Sequence, residues 1–174
     1  MLFLIGLLIV VILQRIGELQ IAARNEQWMR EQGAVEHGKE HYKYIVMMHV
    51  LFFVSLLTEV IASGAELATW WWIPFVLFML AQALRFWTIR SLGQYWNTKI
   101  LVIPNAERVN RGPYRFIRHP NYLIVALEII AIPLIFQAFI TAAVFTVLNA
   151  WILLYVRIPA EEKALRLLAG EKLS

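Results

Sequence analysis

The sequence predicts an all-α integral membrane protein, and three observations lead to that fold class. Apolar residues make up 60% of the 174 residues and the mean hydropathy is +0.63, which exceeds the apolar share of ordinary soluble domains. Charged residues contribute only 16%, too few to cover a water-soluble globule. Apolar runs of about 20 residues recur along the chain, and a helix of that length crosses a bilayer. We expect a single membrane-embedded domain over residues 1–174.

Three spans are predicted in the N-terminal part of that domain, residues 1–91. They cover Leu2–Ala23, Tyr44–Ser63 and Trp70–Ile89. Each is followed by a polar or glycine-containing segment that ends the apolar run.

The C-terminal part, residues 92–174, is predicted to carry a polar motif region followed by a tight helical hairpin. The apolar stretches Tyr122–Phe136 and Ala138–Val156 are separated only by Gln137. Together they would form a helix of roughly 50 Å at about 1.5 Å per residue, too long for one crossing of a core about 30 Å thick. We therefore predict two crossings, five spans in all, with Pro133 near the tip of the hairpin.

A short interfacial helix is predicted to complete the chain. Pro159 is expected to break the helix after Arg157, because proline cannot continue a helical hydrogen-bond ladder. The segment Ala160–Leu173 then places Leu165, Leu168 and Ala169 on one side and charged residues elsewhere, which is typical of a helix lying on the membrane surface.

The orientation follows from the lysines and arginines. They occur between spans one and two, between spans three and four, and in the C-terminal tail, whereas the segment Gly64–Thr69 and the turn at Gln137 hold none. Basic loops remain on the cytoplasmic side. We expect the N-terminus outside and the motif region in the cytoplasm.

Several classes of function are excluded or disfavoured. The absence of cysteine excludes disulfides, thiolate nucleophiles and cysteine metal sites, and no GxG sequence is present for a Rossmann-type site or P-loop. His37 and His41 stand four residues apart without an evident third ligand, so no metal site is predicted. Nucleic-acid binding needs a basic face that a bilayer protein lacks.

The stretch Arg111–Tyr122, RGPYRFIRHPNY, concentrates polar groups where the chain enters the fourth span. Pro120 biases His119 away from helical geometry and suits the first helical turn. His119, Asn121 and Tyr122 should therefore lie at a helix N-terminus, where free N–H groups and the helix dipole favour anions.

A second polar element, RIPAEE, contains Arg157 and Glu161 four residues apart, close enough to share a site. The planar fork of an arginine suits a carboxylate or enolate, and a carboxylate suits the hydroxyls or ammonium group of a cofactor. Simple capping of a helix by its acidic first turn is the alternative explanation.

Ionisable residues inside the spans should face the interior of the bundle, because charge in lipid is costly. Arg15 and Glu18 can pair on one helix face, and Gln82 and Arg85 lie on one side of span three. Glu128 stands alone in span four, and two roles remain open for it, a structural ion pair or a contact to a substrate.

The chain resembles the isoprenylcysteine carboxyl methyltransferase family, and more distantly the membrane phospholipid N-methyltransferases. The resemblance lies in the motif GPYRFIRHPNY, the two spans that follow it, and the motif RIPAEE after them. The resemblance covers roughly Lys99–Lys172. It implies a membrane methyltransferase that binds S-adenosylmethionine on the cytoplasmic side, with Arg157 at the reacting group of the substrate and Glu161 beside it as catalytic residues. The implied cofactor contacts are Lys99, Glu107, Arg108, Val109, Tyr114, His119, Pro120, Asn121, Tyr122 and Glu161.

The predicted function is thus O-methylation of a carboxylate or enol on a lipophilic acceptor that enters from the bilayer. An isoprenylcysteine-type carboxyl group and an alkylpyrone-type small molecule both fit, with Arg157 and Glu128 as substrate contacts and no metal. A phospholipid N-methyltransferase, a reductase of the sterol-reductase type and a non-catalytic membrane scaffold are the alternatives.

Overall fold

The computed structural model describes residues 2–64 and 66–168 of the chain, which are mostly helical. The elements in chain order are α1 (Leu2–Glu31), β1 (Val35–His37), α2 (Lys39–Ala62), α3 (Trp72–Leu92), β2 (Ile100–Val102), α4 (Pro120–Ile135), α5 (Phe139–Ile152), a π-helical turn (Leu153–Arg157) and α6 (Ile158–Leu168). The predicted interfacial helix extends to Leu173, and its residues 169–173 lie outside the described ranges.

The helices have the length and surface of a membrane protein. Four are long and apolar enough to cross a bilayer, namely Leu2–Glu31, Lys39–Ala62, Trp72–Tyr95 and Phe139–Arg166. Helix α4 is apolar but has 16 residues, about 24 Å at the usual helical rise. Large apolar side chains cover the exterior, with Leu80 61% and Val147 69% exposed. The prediction of a mostly helical chain is confirmed, and four of its helices have the length and apolarity that a membrane span requires.

One apolar core joins all five of these helices. It contains Leu4 and Val11 of α1, Leu56 of α2, Phe78 of α3 and Ile132 of α4, with Phe145 of α5 closing it. Helix α4 packs against both α3 and α5, and α5 also packs against α2. Residues Phe136–Ala138 link α4 to α5, and Gln137 adopts a left-handed conformation with φ of 58°.

A buried cluster of charges crosses the bundle. Arg15 donates to Glu18 over 2.6 Å, which confirms their predicted pairing. Glu128 accepts hydrogen bonds from Arg15, Arg85 and Gln82. The cluster ties α1, α3 and α4 together, and its two arginines and two glutamates balance in charge.

The predicted break at Pro159 is wrong. The chain remains helical from Phe139 through the π-helical turn into α6. A proline cannot donate to the carbonyl four residues earlier, and its ring crowds that carbonyl. A π-helical turn just before it widens the ladder, so the helix continues without the bond that Pro159 cannot make.

The structure also contains two short strands that the all-α prediction does not include. Strands β1 and β2 pair antiparallel, with Val35 opposite Val102 and His37 opposite Ile100. Ile100 and Val102 pack on Ala164 of α6. This ribbon holds the loop after α3 against the last helix and thereby helps to enclose the site.

Candidate functional site

A cavity of about 880 Å³ opens between the loop after α3, the N-terminus of α4 and the first turns of α6. The sequence analysis predicts twelve catalytic, cofactor-binding or substrate-binding residues, and eleven of them line this cavity. They include aromatic, basic and acidic side chains. They are Lys99, Glu107, Arg108, Val109, Tyr114, His119, Pro120, Asn121, Tyr122, Arg157 and Glu161.

Gly112 is the residue that turns the loop onto α3. Its φ is 59°, in the left-handed region that favours glycine. A Cβ atom there would lie 1.9 Å from Oγ of Ser91 and 3.1 Å from Nε1 of Trp87. Only glycine allows this close approach, which places the following turn, with Tyr114, at the cavity.

Helix α4 begins as predicted, with Pro120 in its first turn and His119 at the N-cap. The His119 side chain does not cap the helix. Its Nε2 lies 2.9 Å from Oε1 of Glu162, and its Nδ1 lies 3.5 Å from Oε1 of Glu161. The Glu161 carboxylate, together with Glu162, raises the pKa of the His119 imidazole above its ordinary value, although partial burial opposes the shift.

Tyr122 links the two polar elements of the sequence. Its hydroxyl donates to the carboxylate of Glu161 and accepts from Nε of Arg157 at 3.2 Å. Its ring stacks on that of His119, with centroids 5.4 Å apart. The start of α4 and the π-helical turn with α6 are thus hydrogen-bonded to each other across the site.

Arg157 is buried, with 6% of its surface exposed. Its Nη2 donates to the carbonyl oxygen of Thr98 at 2.7 Å, and its Nε donates to Tyr122. These two bonds hold the guanidinium in one orientation at the cavity wall. An arginine fixed in this way presents a rigid positive fork to an anionic group.

Lys99 and the loop from Glu107 to Val109 form the rim toward α1 and α6. Both carboxylate oxygens of Glu26 lie 2.9 Å from Nζ of Lys99, so α1 holds this lysine. Arg108 is largely exposed, and its Nη2 lies 3.9 Å from Glu162. Tyr114 is mostly covered, and burial beside Glu161 raises the pKa of its hydroxyl.

Three buried polar atoms that belong to cavity-lining residues lack a hydrogen-bond partner in the part of the chain that the structure describes. They are Nε1 of Trp96, Nδ1 of His119 and Oδ1 of Asn121. Buried polar atoms are normally paired, because leaving one unpaired costs about 1–3 kcal/mol. A polar ligand in the cavity would supply the missing partners.

The structure does not bring Glu128 to the other predicted site residues. It lies eight residues beyond Pro120, about 12 Å along the helix, in the charge cluster of the core. The structural pairing that the sequence left open is therefore present. The role of Glu128 as a substrate contact stays a prediction.

Sequence reasoning missed Trp96 and Glu162. Trp96 is 2% exposed and follows α3 in a short turn. Asn25 of α1 donates to its carbonyl oxygen at 2.7 Å. Glu162 stands next to Glu161 in RIPAEE, so the two adjacent acids were the available signal. No comparable signal marks Trp96 as a cavity residue, because a loop tryptophan is equally typical of a membrane interface.

The comparisons with known proteins identify the family of the chain. The model of the isoprenylcysteine carboxyl methyltransferase (ICMT) family matches residues 72–167. An uncharacterized protein, YpbQ, of Bacillus subtilis is 48% identical over 160 residues, which cover 92% of this chain and 95% of that protein. An uncharacterized protein of Haemophilus influenzae is 29% identical over 153 residues, 87% of this chain and 88% of its own. No solved structure matches the chain significantly. The chain belongs to the isoprenylcysteine carboxyl methyltransferase family, and this membership implies a membrane methyltransferase.

Proposed function

We propose that the protein transfers a methyl group from S-adenosylmethionine to an oxygen atom of a lipophilic acid or enol. The observation that carries this proposal is the contact of Tyr122 with both Glu161 and Arg157 at the cavity wall. It places a fixed cation for an anionic acceptor beside the residues that the family motif associates with the cofactor.

The residues present fit S-adenosylmethionine. Trp96 offers an unpaired N–H donor and Asn121 an unpaired oxygen, which suit the edge of an adenine ring or ribose hydroxyls. Glu161 and Glu162 suit an ammonium group, and Tyr122 presents an aromatic face that attracts a cation. When bound, the cofactor would supply an electrophilic methyl group on a sulfonium, which becomes a neutral thioether as the new C–O bond forms.

The protein's own contribution is to position the acceptor. A carboxylate needs no general base, because it is already ionised near neutral pH. Arg157 would hold one acceptor oxygen and stabilise the anionic form of an enol. Fixing two reactants in a closed site can lower a barrier by about 7–11 kcal/mol, so orientation is sufficient without acid–base chemistry.

We further propose that the whole chain is one membrane-embedded domain of five spans, in which α4 and α5 form the hairpin. The N-terminus would lie outside, and the cavity would face the cytoplasm, because its lining includes Lys99, Arg108 and Arg118 from the loop between α3 and α4. The cofactor would then enter from the cytoplasm and the acceptor from the bilayer.

The test uses the purified protein in detergent or liposomes. Calorimetry should show that S-adenosylmethionine binds, and a radiolabelled methyl group should appear on an acid from a membrane lipid extract. We expect Arg157→Met to lower methyl transfer at least 100-fold while cofactor affinity changes only a few-fold. Arg115→Met, the loss of an exposed arginine outside the cavity, is the matched control.

Two outcomes would contradict the proposal. Absence of cofactor binding would leave the scaffold role that the sequence also allows. Label on the amine of phosphatidylethanolamine, rather than on an acid, would indicate the N-methyltransferase activity, which the buried cation of Arg157 disfavours.

A further inference from the structure

A second, smaller cavity of about 280 Å³ lies between α4 and α5. We call it the α4–α5 groove, and its walls include Leu123, Ala126, Thr146, Asn149, Ala150 and Leu154. Leu123 is 40% exposed and Leu154 60% exposed, so the groove opens on the apolar exterior of the helices. That surface faces lipid in a membrane protein.

The groove adjoins the larger cavity. His119 and Tyr122 line both. The π-helical turn also contributes residues to the walls of both cavities, since Leu153 and Leu154 line the groove and Arg157 lines the larger cavity. A molecule with its anionic group at Arg157 would therefore have the groove close by, on the far side of Tyr122.

Asn149 is an unexpected residue on the groove wall. It is 2% exposed, and it lines the groove among apolar side chains. Thr146 stands one turn earlier on the same face of α5. A buried amide in a membrane helix is costly when it is unpaired, so such residues commonly serve function.

We propose that the α4–α5 groove binds the apolar tail of the methyl acceptor, and that Asn149 hydrogen-bonds an oxygen substituent on that tail. This inference rests on the proposed methyl transfer and adds the acceptor's chemical class, a long-chain acid with a hydroxyl or carbonyl group along the chain. A plain alkyl tail fits the apolar walls but offers the amide no polar partner. An oxygenated tail satisfies both.

The first test fills the groove. Ala150→Phe places a ring in it, whereas Val147→Phe places the same ring on the neighbouring lipid-facing surface, where Val147 is 69% exposed. With hexadecanoic acid as acceptor, Ala150→Phe should raise KM at least tenfold, and Val147→Phe should leave KM unchanged. Cofactor affinity should be the same in both variants. Equal KM values for the two variants would overturn the groove assignment.

The second test removes the amide. Hexadecanoic acids with one hydroxyl at successive carbons are compared as acceptors in the wild type and in Asn149→Leu, which keeps a similar side-chain volume. For acids with the hydroxyl at one position or a few adjacent positions, kcat/KM of the variant should be about tenfold below that of the wild type, the effect of one hydrogen bond. For the unsubstituted acid, kcat/KM should be the same in both proteins. A uniform loss for every acid, or no loss at any position, would overturn the role of Asn149.

A readout that needs no methyl transfer separates this inference from the proposed function. A diazirine-bearing long-chain acid, activated by light in liposomes, should crosslink to α4 and α5 residues of the groove in the wild type and in Val147→Phe, but not in Ala150→Phe. Crosslinks elsewhere, combined with intact cofactor binding, would overturn the inference alone. Groove crosslinks without any cofactor binding would overturn the proposed function and, with it, the assignment of this acid as a methyl acceptor.

Discussion

His119 shows how single residues acquire their properties in this protein. The sequence places it before a proline at a helix start, where free N–H groups favour an anion. The structure instead sets its two ring nitrogens toward Glu161 and Glu162. Because both acids come from a helix that begins nearly 40 residues later, no local pattern could reveal that the imidazole faces a carboxylate on both sides.

We expect the contribution of His119 to stability to depend on pH. The carboxylates raise its pKa in the folded protein, so the stabilisation is fully present below its ordinary pKa of about 6.5 and disappears as the pH rises through the raised value. The difference in Tm between the wild type and His119→Gln should be largest near pH 6 and shrink toward pH 9. His37→Gln, which removes a histidine outside the cavity, is the control. A difference that grows with pH would contradict the pairing.

At the scale of elements, the helix ends are held by side chains from other helices. The carboxylate of Glu59, near the end of α2, accepts hydrogen bonds from the backbone N–H groups of Ile140 and Thr141 and from the Thr141 hydroxyl. The first turn of α5 lacks acidic residues of its own. Glu59 therefore caps α5 from outside and fixes α2 against it.

We expect Glu59→Ala to lower the free energy of unfolding by about 1–2 kcal/mol, the usual effect of losing a helix cap. Unfolding in mixed detergent micelles, followed by circular dichroism, would measure it. Glu66→Ala, the loss of an exposed acid in the adjacent loop, should change little. Similar effects for the two variants would show that the cap is not significant.

The charge cluster joins α1, α3 and α4, and Glu18 and Glu128 each accept from both Arg15 and Arg85. Glu128→Gln should lower the free energy of unfolding by about 3 kcal/mol, because it leaves Arg85 buried without its strongest partner. The double variant Arg15→Met/Glu128→Gln should recover part of the loss, since the remaining charges balance. If Glu128→Gln kept full stability and only raised KM for the acceptor, the substrate role of Glu128 would be supported instead.

At the scale of the whole molecule, apolar residues form the exterior and charged residues gather at one end and in the core. This arrangement is the reverse of that in a water-soluble protein. It follows from the solvent, because lipid accepts exposed leucine and valine but not charge. Lysines and arginines occur in the last turns of α1, the first turns of α2, the loop between α3 and α4, and α6, so these segments should share the cytoplasmic side.

The absence of cysteine makes this orientation directly testable. A single cysteine introduced as Thr69→Cys should react with a membrane-impermeant maleimide in intact cells. The Gln32→Cys variant should react only after the membrane is opened. Both positions are exposed in the structure, so a difference in labelling reports sidedness. Labelling of Gln32→Cys in intact cells would contradict the orientation.

The sequence by itself determined the mostly helical class, the approximate bounds of the long apolar helices and the position of Pro120 in the first turn of α4. These features depend on composition, local backbone preference and short motifs, which act within a few residues. The family's motif also selected Arg157 and Glu161 together, although 35 residues or more separate them from Tyr122.

Only the tertiary structure decided which partners those residues have. It paired Glu128 with Arg15, 113 residues away, added the strand ribbon between residues 35 and 102, and replaced the expected break at Pro159 with a π-helical turn. It also set Trp96 and Asn149 on cavity walls. Such outcomes follow from which helix faces meet when the bundle packs, and the free energy of each long-range contact depends on burial that no single segment encodes.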